Sequence, residues 1–199
     1  MGIDERVVRF LADHRFSLSD RLARAAVTAG TNRVLLLIAA AIAIAYVARA
    51  SQWRAAAATT LAVVSAGLVA NGLKLLIDRA RPPADLAIVH AAGSSMPSTD
   101  AALTAAAGLA VVLAVSWPTL SIRRAGIGAI GAGVVVIGIC LVYLGVHWPS
   151  DVLAGWLLGA CAAAASVRVT GARRSASRAH ASGGTGIATI WSRRRTSDR

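Results

Sequence analysis

Five side chains suited to handling a phosphate stand beside apolar runs in this sequence. Lys74 and Arg81 lie in KLLIDRARPP, Asp100 in SSMPSTDAAL, and His147 and Asp151 in GVHWPSDVLAG. Lysine and arginine supply permanent positive charge, and the arginine fork can hold two phosphate oxygens at once. A helix that starts at Pro97, Ser98 and Thr99 offers unpaired amides and the positive end of a dipole, which suit an anion. Pro149 stops one helix and Ser150 caps the next, so Asp151 folds back toward His147. A carboxylate that takes the proton of one imidazole nitrogen leaves the other free as a nucleophile. The chemistry this set points to is the binding of a phosphate beside a nucleophilic histidine.

Each residue also has a plainer reading. Lys74 can snorkel to a membrane surface, and His147 can cap a helix end. Asp151 and Asp100 can serve only as negative charges at helix N-termini. Arg79 is equally a headgroup anchor and a ligand. What favours chemistry is that these clusters, distant in sequence, fall at one membrane level once the apolar runs are laid out.

The chain has 199 residues, of which 56% are hydrophobic and only 5% aromatic, a balance that fits a helical membrane protein. The net charge of +12 comes from 21 basic and 9 acidic residues. The arginines gather at the edges of apolar runs and in the tail rather than in a stripe interleaved with aromatics. They therefore indicate anionic lipid and a topology signal rather than nucleic acid. Cys140 and Cys161 lie inside apolar runs as small hydrophobes. The opening MGIDERVVRFLADHRF is charged throughout and has no cleavable-signal core.

Apolar runs at Val34–Ala50, Ala55–Ile77, Thr99–Trp117, Ala125–Val146 and Val152–Val169 all reach the roughly 17–25 residues a span needs, the second and fourth most clearly. The expectation is an all-α polytopic membrane protein with about five transmembrane helices. Ile3–Phe16 and Leu18–Thr28 read as amphipathic helices at the interface. Residues 1–32 form this interfacial segment, 33–170 the transmembrane domain, and 171–199, rich in Ser, Gly, Ala and Arg, a flexible basic tail. Gly126, Gly128, Gly131 and Gly133 read as close-packing positions. With five spans, the break after Ile77 and the HWPSD loop share one face. SQWR, the arginine-bearing SIRR and the tail lie on the other, which the positive-inside rule makes cytoplasmic.

The motifs resemble those of the type 2 phosphatidic acid phosphatase family, membrane relatives of the vanadium haloperoxidases. Lys74, six residues and then Arg81-Pro82 match its first motif, and His147 with Asp151 inside YLGVHWPSDVLAG match the end of its third. The resemblance covers roughly Ala55–Val169. It implies that Lys74 and Arg81 bind phosphate, His147 attacks phosphorus, and Asp151 orients it. The implied substrates are lipid phosphates or diphosphates, polyprenyl ones among them, with no metal or other cofactor.

Two positions depart from the family pattern. Pro97-Ser98-Thr99-Asp100 stands where the second motif has Pro-Ser-Gly-His, and Cys140-Leu141 where the third begins Ser-Arg. Loss of a preorganised cation at phosphorus costs on the order of 10²–10³ in rate, by analogy with removal of an oxyanion donor. Ionised, Asp100 repels a phosphate; shielded beside a bound anion, it can keep and donate a proton; the helix N-terminus favours the carboxylate. Three functions follow. One is a lipid phosphatase of altered efficiency on the outer face of a bacterial plasma membrane. Another is a member that binds lipid phosphate without hydrolysis, for transport, sensing or assembly. The third is an isoprenoid-phosphate enzyme in which Asp100 protonates carbon.

Overall fold

A computed structural model describes residues 2–31 and 52–172, in which all regular structure is helical. The elements are α1 (Ile3–Asp13), α2 (Ser17–Thr31), α3 (Trp53–Ile77), a 3₁₀ turn (Ala84–Leu86), α4 (Thr99–Ala114), α5 (Leu120–Tyr143) and α6 (Pro149–Thr170). The expected span at Val34–Ala50 and nearly all of the expected basic tail lie outside the described residues. Of the other four expected spans, α3, α5 and α6 are long and apolar enough to cross a membrane, with 25, 24 and 22 residues. The fourth, α4, has 16 residues and rises only about 24 Å, short of a hydrocarbon core of about 30 Å.

Helix ends explain where boundaries differ from the hydropathy. Thr119 accepts from the amide of Ile122 at 3.2 Å and caps α5, so the helix begins five residues before the apolar run at Ala125. It ends at Tyr143 rather than Val146 because Gly145 turns with φ +72° against the Leu86 carbonyl, where a Cβ would sit 2.5 Å from that oxygen. α4 stops at Ala114 because Val115 is extended and the next amide, of Ser116, donates to the Gln52 side chain at 2.8 Å. Ser150 is not the cap of α6. Trp148 holds the N-cap position, Pro149 takes the first helical position where its missing N–H costs nothing, and Asp151 accepts from the Trp148 amide at 2.9 Å.

Small residues hold the bundle together. Ala62, Ala66 and Ala70 on α3, Ala102, Ala106 and Ala110 on α4, and Ala163 on α6 form one buried cluster. Side chains this small let backbones approach closely, the packing available where lipid supplies no hydrophobic drive between helices. α4 and α6 make the most extensive contact of the fold. Its closest points are Gly155, where a Cβ would lie 2.5 Å from the Ser98 carbonyl, and Gly159, 2.3 Å from that of Ala102. The four glycines of α5 expected to play this part do not. Of the four, nothing lies near Gly128, Gly131 or Gly133, and Gly126 packs beneath Trp117. The glycine of α5 that meets a neighbouring helix is Gly138, where a Cβ would lie 2.3 Å from the Trp156 ring of α6.

α1 and α2 are amphipathic as expected, and they dock on the protein. Val8 of α1 is fully buried in a second cluster with Leu86, Ala101, Leu141, Val142 and Val152. Arg24 of α2 donates to the Ile88 carbonyl at 3.0 Å, and the Tyr143 hydroxyl donates to Asp20 at 2.7 Å. Ile3, Phe10, Phe16, Leu18 and Leu22 stay exposed on the outer side.

Candidate active site

One end of the bundle gathers the C-termini of α3 and α5 and the N-termini of α4 and α6. Two loops close that end and are stitched to each other. The Ile88 amide donates to the Leu144 carbonyl at 2.9 Å, and the Ser98 amide to the Asp151 carbonyl at 3.0 Å. Lys74, Arg81, Ser98, Thr99, Asp100, His147 and Asp151 all lie at this end.

His147 and Asp151 are buried, with 3% and 0% of their surface exposed, so the contacts between them are set by protein rather than water. Nδ1 of His147 lies 3.6 Å from Oδ2 of Asp151, just beyond hydrogen-bond length, and has no hydrogen-bond partner. Oδ2 also accepts from the Trp148 amide at 2.9 Å, while Oδ1 accepts from Arg79 at 2.7 Å. The other imidazole nitrogen, Nε2, faces the Arg81 guanidinium at 3.5 Å.

Arg81 is fixed from several sides. It donates to the carbonyls of Val146 at 2.7 Å, Gly93 at 2.9 Å and Ser94 at 3.3 Å, which ties the loop after α3 to the residue before His147. Burial pulls its guanidinium below the ordinary arginine value, and the negative charges of Asp151 and Asp100 pull the other way. Lys74, one turn before the end of α3, donates to the same Ser94 carbonyl at 2.9 Å. It too lies within electrostatic reach of Arg81, Asp100 and Asp151. The left-handed Asp78 (φ +42°) ends α3, donates its amide to the Lys74 carbonyl and accepts from the Ser94 hydroxyl at 2.7 Å.

The start of α4 completes the ring. Ser98 is fully buried, and its hydroxyl oxygen accepts from the Ala101 amide at 3.4 Å as a helix cap, which turns that oxygen inward. Thr99 has a buried hydroxyl with no partner. Among the described residues no acceptor meets the amides of Thr99 or Asp100, so two donors at a helix N-terminus remain for an anion. The Asp100 carboxylate forms no ion pair among the described residues, although it acts electrostatically on Lys74 and Arg81. Leu141, where the family pattern has arginine, is 1% exposed in the apolar cluster under α1. Among the described residues no group of three or more His, Cys, Asp or Glu side chains is placed to hold a metal ion.

Sequence reading missed what surrounds Asp151 on its other side. Arg79, which the sequence leaves between anchor and ligand, pairs with Asp151 and with Asp4 of α1, each at 2.7 Å. It also donates to the Ser150 hydroxyl at 2.6 Å and lies over the Trp148 ring at 5.6 Å. Asp4 in turn accepts from the Ser150 amide at 3.1 Å and from its hydroxyl. The one signal in the sequence is an arginine two residues before Arg81 in a chain with few acids to meet it. Nothing local pairs it with Asp4, 75 residues away. Beside this network a groove of about 560 Å³ runs between the start of α1 and the start of α6, lined by Ile3, Asp4, Arg79, Trp148, Ser150 and Leu153 among others.

The all-helical apolar bundle that carries this site has counterparts. Residues 55–175 match the sequence profile of the PAP2 superfamily. The chain belongs to that superfamily. Its fold is similar to that of a transmembrane PAP2-type phosphatidylglycerolphosphate phosphatase from Bacillus subtilis, with TM-score 0.72, 26% identity and 82% of each chain covered. It is also similar to LpxE of Aquifex aeolicus, with TM-score 0.68, 20% identity, 84% of this chain and 96% of that one covered. Among curated proteins none matches. The PAP2 chain is thus an integral membrane protein with the fold of the membrane lipid phosphatases.

Proposed function

We propose that this PAP2 protein hydrolyses a lipid phosphate or diphosphate through a phosphohistidine at His147. The observation that carries the reading is the placement of the imidazole, with Nδ1 toward the Asp151 carboxylate and Nε2 toward the Arg81 guanidinium. With its proton on Nδ1, the ring presents the Nε2 lone pair where a phosphate held by Arg81 and Lys74 would lie. The free amides of Thr99 and Asp100 and the Thr99 hydroxyl supply further donors to the same anion.

In the first step Nε2 bonds to phosphorus and the bond from phosphorus to the leaving oxygen breaks. The leaving oxygen takes a proton from Asp100, and the imidazolium that forms is stabilised by Asp151 through Nδ1. In the second step water attacks phosphorus, gives its proton to Asp100, and the N–P bond breaks to release inorganic phosphate. The 3.6 Å gap at Nδ1 closes to a hydrogen bond as positive charge develops on the ring, since such bonds tighten as the reaction complex forms.

The transmembrane domain of residues 33–170 carries the site, which this reading places at the outer face of a plasma membrane, with the basic tail of 171–199 in the cytoplasm. Position 141 supplies no cation, so turnover should fall on the order of 10²–10³ below that of a site with arginine there. A polyprenyl phosphate or diphosphate suits the lipid-facing bundle.

Phosphate release by the purified chain from phosphatidic acid, phosphatidylglycerol phosphate and farnesyl diphosphate, beside His147→Ala, tests the reading. Release that disappears in the variant supports it. Leu141, buried and apolar where the family has arginine, favours the second reading of a binder without turnover. That reading predicts lipid phosphate retained by the wild type with none released.

A further inference from the structure

Asp151 is held from two directions, and only one of them is part of the phosphatase reading. Oδ2 meets His147 and the Trp148 amide, whereas Oδ1 meets Arg79 at 2.7 Å. A carboxylate fixed at one oxygen alone can still turn about its Cβ–Cγ bond, and fixing the second oxygen removes that freedom. Arg79 is suited to the task because its fork is planar and always charged.

Arg79 is itself held by α1. Its second nitrogen donates to Asp4, and Asp4 also takes the amide and hydroxyl of Ser150, the residue next to Asp151. Burial pushes the Asp4 carboxyl up, but donation from Ser150 and Arg79 outweighs it and holds Asp4 below its ordinary value. Burial likewise disfavours the Arg79 charge, and its two carboxylates raise it above the ordinary arginine value. Both partners are therefore charged at neutral pH.

What brings α1 to this place is apolar. Val8 is fully buried in the cluster that contains Leu141, so the residue standing where the family pattern has arginine is part of the seat for α1. An arginine there would bring its charge into that seat. The same substitution that removes a cation from the phosphate side thus fits a helix whose carboxylate anchors another cation behind Asp151.

We propose that Asp4 and Arg79 are positioning residues: α1, seated on the cluster around Leu141, holds Arg79 through Asp4, and Arg79 fixes Asp151 in the orientation that faces His147. This rests on the phosphatase reading of His147. Arg79 meets Asp151 at Oδ1, not at the oxygen that faces the imidazole, and Asp4 bonds Arg79 and Ser150 rather than His147.

The test uses the full chain in detergent, with dioctanoyl phosphatidic acid and farnesyl diphosphate as probes. Arg79→Gln should lower kcat about tenfold or more, in the range found when a supporting contact behind a functional ligand is removed, with KM within about twofold. Asp4→Asn should give a smaller loss of the same kind, and Asp4→Glu should retain most of the activity. Because Asp4 acts through Arg79, adding Asp4→Asn to Arg79→Gln should cost nothing further, whereas independent structural damage would multiply. Variants that turn over at the wild-type kcat, that change KM alone, or whose losses multiply overturn the relay while leaving the phosphatase reading intact. A wild type that releases phosphate from neither probe overturns that reading, and the relay with it.

Discussion

His147 and Asp151 face each other across the turn into α6, Nδ1 to Oδ2 at 3.6 Å, with both side chains shut away from solvent. The contact depends on the first turn of α6. Trp148 donates its amide to the same Oδ2, so the oxygen that faces the imidazole is also the one that caps the helix. Helix initiation and histidine orientation are one structural event.

Replacing Asp151 with Asn should therefore separate the two roles. An amide oxygen can still accept from Trp148, but the side chain no longer carries charge to stabilise an imidazolium, and its NH₂ can select the wrong imidazole tautomer. The expected outcome is a fall in kcat of up to about 10⁴-fold, as when a triad carboxylate is neutralised, with the helical content by circular dichroism unchanged. A variant within tenfold of wild type would contradict the assigned role.

Asp100 should respond in both directions. Asp100→Asn removes the proposed proton donor and lowers release from alkyl phosphates by about 10²-fold or more, within the usual range for general acid catalysis. Asp100→His installs an acid that titrates nearer neutral pH and should raise kcat above wild type at pH 7. Steady-state rates for the pair decide it, and equal rates in all three proteins would remove Asp100 from the mechanism.

The α4–α6 contact is the most sensitive part of the bundle to added volume. A Cβ at Gly159 would lie 2.3 Å from the Ala102 carbonyl, a backbone atom that cannot move aside cheaply. Gly159→Ala should destabilise by about 1–3 kcal/mol, as overpacking does in cores. Gly131→Ala, with open space around it, should leave the thermal midpoint in detergent unchanged or slightly higher.

Much of this arrangement was legible in the sequence, for identifiable reasons. Lys74, Arg81, His147 and Asp151 carry their signal in fixed spacing along single helix ends, and four of the apolar runs coincide with helices because burial and length act locally. The Asp4–Arg79 pair had no such signal, because it joins an N-terminal helix to a loop after α3 through tertiary docking alone. Gly155 and Gly159 likewise carry no signal that sets them apart from the denser glycine pattern of α5. Which small residues face a neighbour depends on helix rotation, which hydropathy without a moment does not fix. Serine favours a cap position, which points to Ser150, yet Pro149 at the first turn places the cap at Trp148.

The docking of α1 should depend on pH in a definite direction. Asp4 is held below its ordinary value of 3.8, so its pairing with Arg79 and Ser150 stabilises the fold fully above that value. It is lost as pH falls through the lower folded value. The difference in thermal midpoint between wild type and Asp4→Asn should stay constant from neutral pH to about pH 5 and close on further acidification. The pair is partly exposed, so the difference should be modest and shrink with salt. A difference that grows toward acid pH would contradict the pairing.

The central claim is that His147 carries the phosphoryl group. Incubating the purified chain with ³²P-labelled phosphatidic acid, quenching in alkali within the first turnovers, and mapping the label tests it directly. The account predicts an alkali-stable, acid-labile phosphohistidine at His147 that forms before phosphate is released and is absent from His147→Ala. Release of phosphate at the wild-type rate by His147→Ala, or rapid turnover with no label on the protein, would contradict it.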